Sequence, residues 1–281
     1  MTLQESYDAC RDITKERAKN FFFGIRLLPQ ERRDSLCACY AFFRISDDLS
    51  DDEAITDKDK HLAAWRANIL GVAEPHPVLP AFHDTVQKYA IPTRYFEELL
   101  DGTTSDLSVT RYETFDELYR YCYRVASTVG LVCLHVFGFD HSPEALAQAE
   151  ARGIAFQLTN ILRDLSEDGE RGRIYLPQED LRRFGVSEAD FLAGRDTPEL
   201  RALLTFQVAR AKEYYEKSAP LSARVDSESR ASLDAMTSIY RALLGKVESM
   251  GTRVFRERAK LSKLEKLSLA GKTALSGLRG R

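Results

Sequence analysis

The stretch Tyr40-Ala-Phe-Phe-Arg44-Ile-Ser-Asp47-Asp48-Leu-Ser-Asp51-Asp52 sets Tyr40, Arg44, Asp47 and Asp51 at intervals of four, three and four residues. That spacing places all four on one stripe of an α-helix. Two carboxylates one turn apart repel each other unless a cation joins them, and acidic groups at a helix C-terminus also oppose the helix dipole. A solvated acidic turn would explain the pattern poorly. Hard oxygen ligands at a helix end suit Mg²⁺, which takes one or two carboxylates together with phosphate oxygens of a substrate.

Working outward, the same design recurs at Gln157-Leu-Thr-Asn160-Ile-Leu-Arg163-Asp164-Leu-Ser-Glu167-Asp168. Gln157, Asn160, Asp164 and Asp168 again share one stripe, while Phe156, Leu158, Ile161, Leu162 and Leu165 occupy the other faces. Burying such a polar stripe without partners is costly, so it is expected to face water, metal or ligand. Two such stripes can clamp a metal–diphosphate cluster between facing helices, as bundle-core sites do. Arg171-Gly-Arg173-Ile-Tyr175-Leu-Pro177 follows the second stripe and offers guanidinium forks for phosphate oxygens. Between the stripes runs Tyr121-Cys-Tyr123-Arg-Val-Ala126-Ser127-Thr-Val-Gly130, whose small residues fit either close helix packing or a tunnel wall.

The remainder of the chain is also helical in period, with strand signals nearly absent. The predicted helices include Leu3–Lys19, Gln30–Ser50, Lys58–Leu70, Leu79–Tyr89, Thr93–Asp101, Phe115–Phe137, Pro143–Asp168, Pro198–Ser218 and Ser227–Lys260. Pro143 after Ser142 and Pro198 after Thr197 read as first-turn prolines behind an N-cap. Pro75, Pro77 and Pro80 mark a loop, and Arg111-Tyr-Glu-Thr allows a few extended residues. No Gly-, Pro- or Ser-rich linker and no repeat divides the 281 residues. The expected fold class is all-α: one domain over residues 1–260, followed by a basic C-terminal tail at 261–281.

Composition excludes several classes. At 44% hydrophobic and 10% aromatic residues, the chain can bury a large core and is not disordered. The longest run without Lys, Arg, Asp or Glu, Val125 to Phe139, is too short for a membrane span. The acidic and basic residues from Glu5 to Asp12 leave no apolar stretch for a signal peptide. A cytoplasmic protein is expected. Its five cysteines lack zinc-site spacing and read as small buried hydrophobes. The net charge of −3 hides an asymmetry, because nine Lys/Arg against two Glu from Thr252 onward leave an acidic body with a basic end. No nucleic-acid reader motif accompanies that charge, so nucleic acid is not an expected partner. Leu261, Leu264 and Leu267, alternating with Lys260, Lys263 and Lys266, suit either peripheral contact with an anionic membrane or closure of the bundle.

Taken together, the Tyr40–Asp51, Tyr121–Gly130, Gln157–Asp168 and Arg171–Pro177 segments resemble the squalene/phytoene synthase family, over about Tyr7 to Leu267. The resemblance implies the isoprenoid synthase helical bundle around a central cavity, and Mg²⁺-dependent head-to-head joining of two prenyl diphosphates. Mn²⁺ is an alternative ion, and NADPH use is left open. Carried over residue by residue, Asp47, Asp51, Asn160, Asp164 and Asp168 match metal-binding positions. Tyr40, Arg44, Tyr123 and Tyr175 match positions at the reaction centre. Asn20, Phe21, Asp48, Gln157, Arg171, Arg173 and Arg253 match positions near the substrate. Where many members carry serines, this chain has Ala18 and Asn20; Asn20 still donates a hydrogen bond and Ala18 cannot. The expected substrates are two farnesyl diphosphates, giving presqualene diphosphate and, with a second ionisation, squalene, as on a hopanoid route. One alternative is a phytoene synthase that joins two geranylgeranyl diphosphates for carotenoids. Another, of a different class, is an inactive relative serving as an assembly or binding protein.

Overall fold

Aromatic and aliphatic residues at helical spacing organise the chain into two packed cores with a cavity between them. The computed structural model describes residues 1–18, 21–52, 54–71 and 75–279, with 274–279 described by backbone alone. Helices α1 (Leu3–Arg17), α2 (Phe21–Ile25), α3 (Gln30–Asp51), α4 (Lys58–Ala67), α5 (Leu79–Lys88) and α6 (Arg94–Ser105) form the first half. They are followed by α7 (Phe115–Cys122), α8 (Thr128–Phe137), α9 (Pro143–Arg163) and α10 (Leu165–Glu170). Short helices α11 (Gln178–Arg183), α12 (Glu188–Leu192) and α14 (Leu221–Arg224) connect the long α13 (Pro198–Lys217) and α15 (Ser227–Met250). The last, α16 (Lys263–Arg279), packs on α15 and α2, so the residues expected as a basic tail include a docked helix. Among the described residues there is no strand. Two isolated bridges occur, Arg111–Ile174 and Phe139–Val225, the first falling where extended residues were expected.

The predicted caps hold. Ser142 accepts from the Ala145 N–H and Thr197 from the Leu200 N–H, each followed by a proline in the first turn. At the acidic end of α3, Lys58 Nζ donates to the Ser50 carbonyl at 2.6 Å, placing a cation where the helix dipole needs one.

Three predicted helices break, each for a physical reason. The expected helix Phe115–Phe137 contains a π-turn at Tyr123–Ser127. Thr128 Oγ1 donates to the Arg124 carbonyl at 2.6 Å, and Ser127 Oγ donates to the Glu150 carbonyl at 2.8 Å, satisfying groups around the widened turn. Gly153 on α9 allows this turn to approach, since a β-carbon there would lie 2.4 Å from Ser127 Cα. The expected Pro143–Asp168 helix pauses at Asp164, which joins α9 to α10. Its spacing survives, because the Asp164 N–H donates to Asn160 and the Asp168 N–H to Asp164. The Ser227–Lys260 helix stops at Gly251, whose φ of +54° suits glycine, and a 3₁₀ turn follows through Phe255.

The first core centres on Phe42, fully buried on the face of α3 away from its acidic stripe. Its ring stacks on Phe82 at 4.3 Å and on Trp65 at 5.0 Å, and meets Phe96 edge-on at 5.6 Å. The second core surrounds α9, α13 and α15 with Leu158, Leu204, Tyr215 and Leu243. Phe42→Ala is expected to lower stability by about 3–5 kcal/mol in urea unfolding, as for other buried aromatic truncations. A loss below about 1 kcal/mol would contradict the central place given to this ring.

Candidate active site

A cavity of about 540 Å³ lies between the two cores, with one polar end and one apolar end. The last turns of α3 bring Tyr40, Arg44, Asp47 and Asp51 to its wall, and α9–α10 bring Gln157, Asn160, Asp164 and Asp168. Both acidic stripes therefore face the same space. Arg171 Nη1 lies 4.0 Å from Asp51 Oδ1, linking the segment after the second stripe to the first. The Arg111–Ile174 bridge and the Ile174 N–H bond to Thr110 fix that segment, which sets Arg173 and Tyr175 on the wall. Phe21, Ala126, Gly130 and Cys133 also line the cavity, while Ser127 is buried in helix packing, so the small residues of that segment serve both purposes.

The electrostatics are those of crowded acids with too few cations. Asp47 lines the cavity with its side chain accessible; desolvation by the surrounding protein, with Asp51 and Asp48 nearby, pushes its carboxyl up to about 7 against the pull of Arg44. Burial likewise pushes Asp168 up to about 7, helped by Asp164. Asp164 is held by guanidinium groups on two sides, Arg163 Nε at 2.8 Å and Arg258 Nε at 2.7 Å, and Arg258 also reaches Glu167 at 3.2 Å. Burial pushes the Tyr40 hydroxyl up to about 12. Asn160 Nδ2 donates to Gln157 at 3.2 Å, whereas Asn160 Oδ1 is buried with no hydrogen-bond partner.

Three expected site residues lie elsewhere. Asp48 stands beside Asp47 on the helix but one residue further round; it pairs with Arg44 and with Arg17 of α1, the latter at 2.7 Å, and is not on the cavity wall. Tyr123 opens the π-turn, close to Glu98, and does not line the cavity. Arg253 is exposed on the 3₁₀ turn, its Nε 3.4 Å from the Met250 carbonyl, and does not line the cavity, whereas Arg258 does and bonds Asp164. Asn20 lies outside the described residues. Sequence reasoning missed Asp106, because the helix predicted to stop at Asp101 runs to Ser105 and delivers Asp106 to the cavity. Tyr121 donates to Asp106 Oδ2 at 2.9 Å, Tyr175 donates to Oδ1 at 3.0 Å, and Arg173 donates to its carbonyl at 2.8 Å. Burial outweighs these bonds and pushes Asp106 up to about 6.

The donors fit Mg²⁺. They are oxygens only, on two facing helix stripes, with one buried amide oxygen lacking a donor. Among the described residues no three His, Cys, Asp or Glu side chains converge as a preformed metal shell. Each stripe thus suits an ion that completes its coordination with diphosphate oxygens and water.

Comparison with known proteins agrees with this geometry. The chain is 37% identical to a 15-cis-phytoene synthase of Synechococcus elongatus, across 95% of this chain and 91% of that protein. It is also 37% identical to a chloroplastic phytoene synthase of Narcissus pseudonarcissus, of whose length it spans 65%. In structure it matches a dehydrosqualene synthase with a TM-score of 0.90 and 30% identity, covering 99% of this chain and 98% of that one. It matches the squalene synthase HpnC of Alicyclobacillus acidocaldarius with a TM-score of 0.82 and 28% identity, covering 89% and 95%. The sequence pattern of squalene/phytoene synthase fits residues 14–265. With both acidic stripes facing one cavity in this all-α bundle, the chain belongs to the squalene/phytoene synthase family.

Proposed function

We propose that this enzyme joins two geranylgeranyl diphosphates head to head, through a cyclopropyl diphosphate, to a phytoene-type product. The observation that carries this reading is the 37% identity to phytoene synthases over nearly the whole chain. The likeness to dehydrosqualene and squalene synthases, at 30% and 28% identity, is the observation that favours the farnesyl reading first expected from the sequence. The presence of every acid of both stripes on the cavity wall favours an enzyme over an inactive binding protein.

Divalent metal, generally Mg²⁺ in this family, would neutralise the departing diphosphate when held by Asp47, Asp51, Asn160, Asp164 and Asp168. Arg44, Arg171, Arg173 and Arg258 surround the same end and can bind diphosphate oxygens as forks. The apolar half of the cavity keeps water from the allylic cation. The double bond of the second substrate then attacks that cation, and closing the cyclopropane releases one proton. Tyr121 and Tyr175, both donating to Asp106, form a route for that proton, and a carboxyl near 6 is suited to receive it at neutral pH. A second ionisation ending in proton loss yields phytoene without a reductant, whereas squalene requires a hydride from a donor such as NADPH.

No described helix is long and apolar enough to cross a membrane. Helix α16 leaves Leu264 79% and Leu267 50% exposed beside Lys263. This arrangement supports peripheral contact with anionic lipid, where each basic residue contributes about 1 kcal/mol and an apolar product can leave the cavity. Full-length protein is expected to co-sediment with anionic vesicles more strongly than a chain ending at Ser262. Equal binding of the two, or none by either, would refute the contact.

In a competition assay with purified protein and Mg²⁺, geranylgeranyl diphosphate is expected to be consumed in preference to farnesyl diphosphate. The product should be the same with and without NADPH. Preference for farnesyl diphosphate with NADPH-dependent squalene would reverse the assignment.

A further inference from the structure

The apolar end of the cavity contains one charge that the mechanism does not use. Arg152, on α9, is 6% exposed and lies on the cavity wall. It precedes Asn160 by eight residues, so it sits about 12 Å deeper along the helix at ~1.5 Å per residue. Among the described residues no carboxylate forms an ion pair with it. Its fork is satisfied instead by neutral oxygens on two other helices. Nε donates to Ser218 Oγ at 2.8 Å and Nη2 to the Ser218 carbonyl at 2.7 Å, at the C-terminal end of α13. Nη1 donates to Thr237 Oγ1 on α15.

The acceptors are set up for this. Ser218 Oγ donates onward to the Tyr214 carbonyl at 2.8 Å, and Thr237 Oγ1 donates onward to the Leu233 carbonyl at 2.8 Å, leaving their lone pairs to Arg152. A buried guanidinium is costly to desolvate, and the carbonyl end of α13 is a favourable place to hold it. The two anchor points adjoin the residues that form the apolar end. Leu233 and Met236 precede Thr237 on α15 by four residues and one and line the cavity, and Leu221 follows Ser218 by three residues and lines it too. Met236 also fills the space over Gly24 of α2, where a β-carbon would stand 2.4 Å from its Cγ. Leu233 and Met236 therefore come from α15, which Arg152 ties to α9, and Leu221 opens α14 three residues beyond the Ser218 anchor.

We propose that Arg152 is a positioning residue for chain-length selection: by bracing the end of α13 and the middle of α15 it fixes Leu233 and Met236, and the start of α14 at Leu221, and so sets how long a prenyl chain the cavity accepts. This rests on the reading of the cavity as a prenyl diphosphate site. Losing the brace lets the apolar end yield, which favours longer chains, and a change of about one methylene in an apolar pocket shifts selectivity by roughly tenfold.

The test uses the full chain with Arg152→Met, which keeps an unbranched stem but no fork, and Thr237→Val, which removes one acceptor at nearly constant shape. The readout is the ratio of kcat/KM for geranylgeranyl over farnesyl diphosphate, and for the C25 homologue over geranylgeranyl diphosphate. Binding constants of unreactive thio-diphosphate analogues of the same lengths give a second readout. Both ratios are expected to rise about tenfold in Arg152→Met, and in the same direction in Thr237→Val. A merely structural role would lower turnover of all chain lengths together and leave the ratios unchanged, which would overturn the proposal. Should Arg152→Met fail to fold, Thr237→Val and the analogue affinities decide by the same criterion. A wild-type protein that turns over no prenyl diphosphate would instead defeat the functional reading itself.

Discussion

Desolvation of carboxylates crowded around one cavity is the constraint on which this structure depends. Asp47 and Asp168 are pushed to about 7, and Asp106 to about 6, chiefly because the protein removes water from around them. Left to themselves, helices carrying such groups would turn them outward. Packing on the opposite faces prevents this: Phe42 locks α3 into the first core, and Leu158, Ile161 and Leu162 lock α9 into the second. The hydrophobic contacts thus offset the electrostatic strain, and the strained groups are poised for a cation or a proton.

The same logic accounts for the irregular parts of the fold. The π-turn at Tyr123–Ser127 keeps Tyr121 and Ala126 on one wall. An uninterrupted α-helix, turning ~100° per residue, would set two residues five apart ~140° from each other. The pause at Asp164 and the 3₁₀ turn after Met250 bring Arg163 and Arg258 onto one carboxylate. Irregular backbone here appears where side chains must converge on the cavity, and regular helix elsewhere.

Much of this was legible in the sequence because helical spacing is a local property. The all-α class, the caps at Ser142 and Thr197, and the two acidic stripes follow from residues within a few positions of one another. Asp51, Asn160, Asp164 and Asp168 line the cavity on the stripes that their spacing defines, and Arg171 and Tyr175, matched through the family resemblance, line it as well. What was not legible depends on contacts far apart in sequence. Asp106 becomes part of the site only because α6 continues past Gly102, where Val125 and Arg124 pack closely against the missing side chain. Arg258 rather than Arg253 faces Asp164 because the chain leaves helical geometry at Gly251 and rotates every later residue. Tyr123 turns away because the π-turn starts there, and nothing in its immediate neighbours marks that change of register.

The central claim is that the two acidic stripes act as one site, completed by metal and diphosphate together. Calorimetric titration of inorganic diphosphate into the protein, with and without Mg²⁺, measures this directly. The account predicts strong binding only when both are present, and its loss in both Asp47→Ala and Asp164→Ala, one variant from each stripe. Tight diphosphate binding without Mg²⁺, or binding that survives removal of either aspartate, would contradict it.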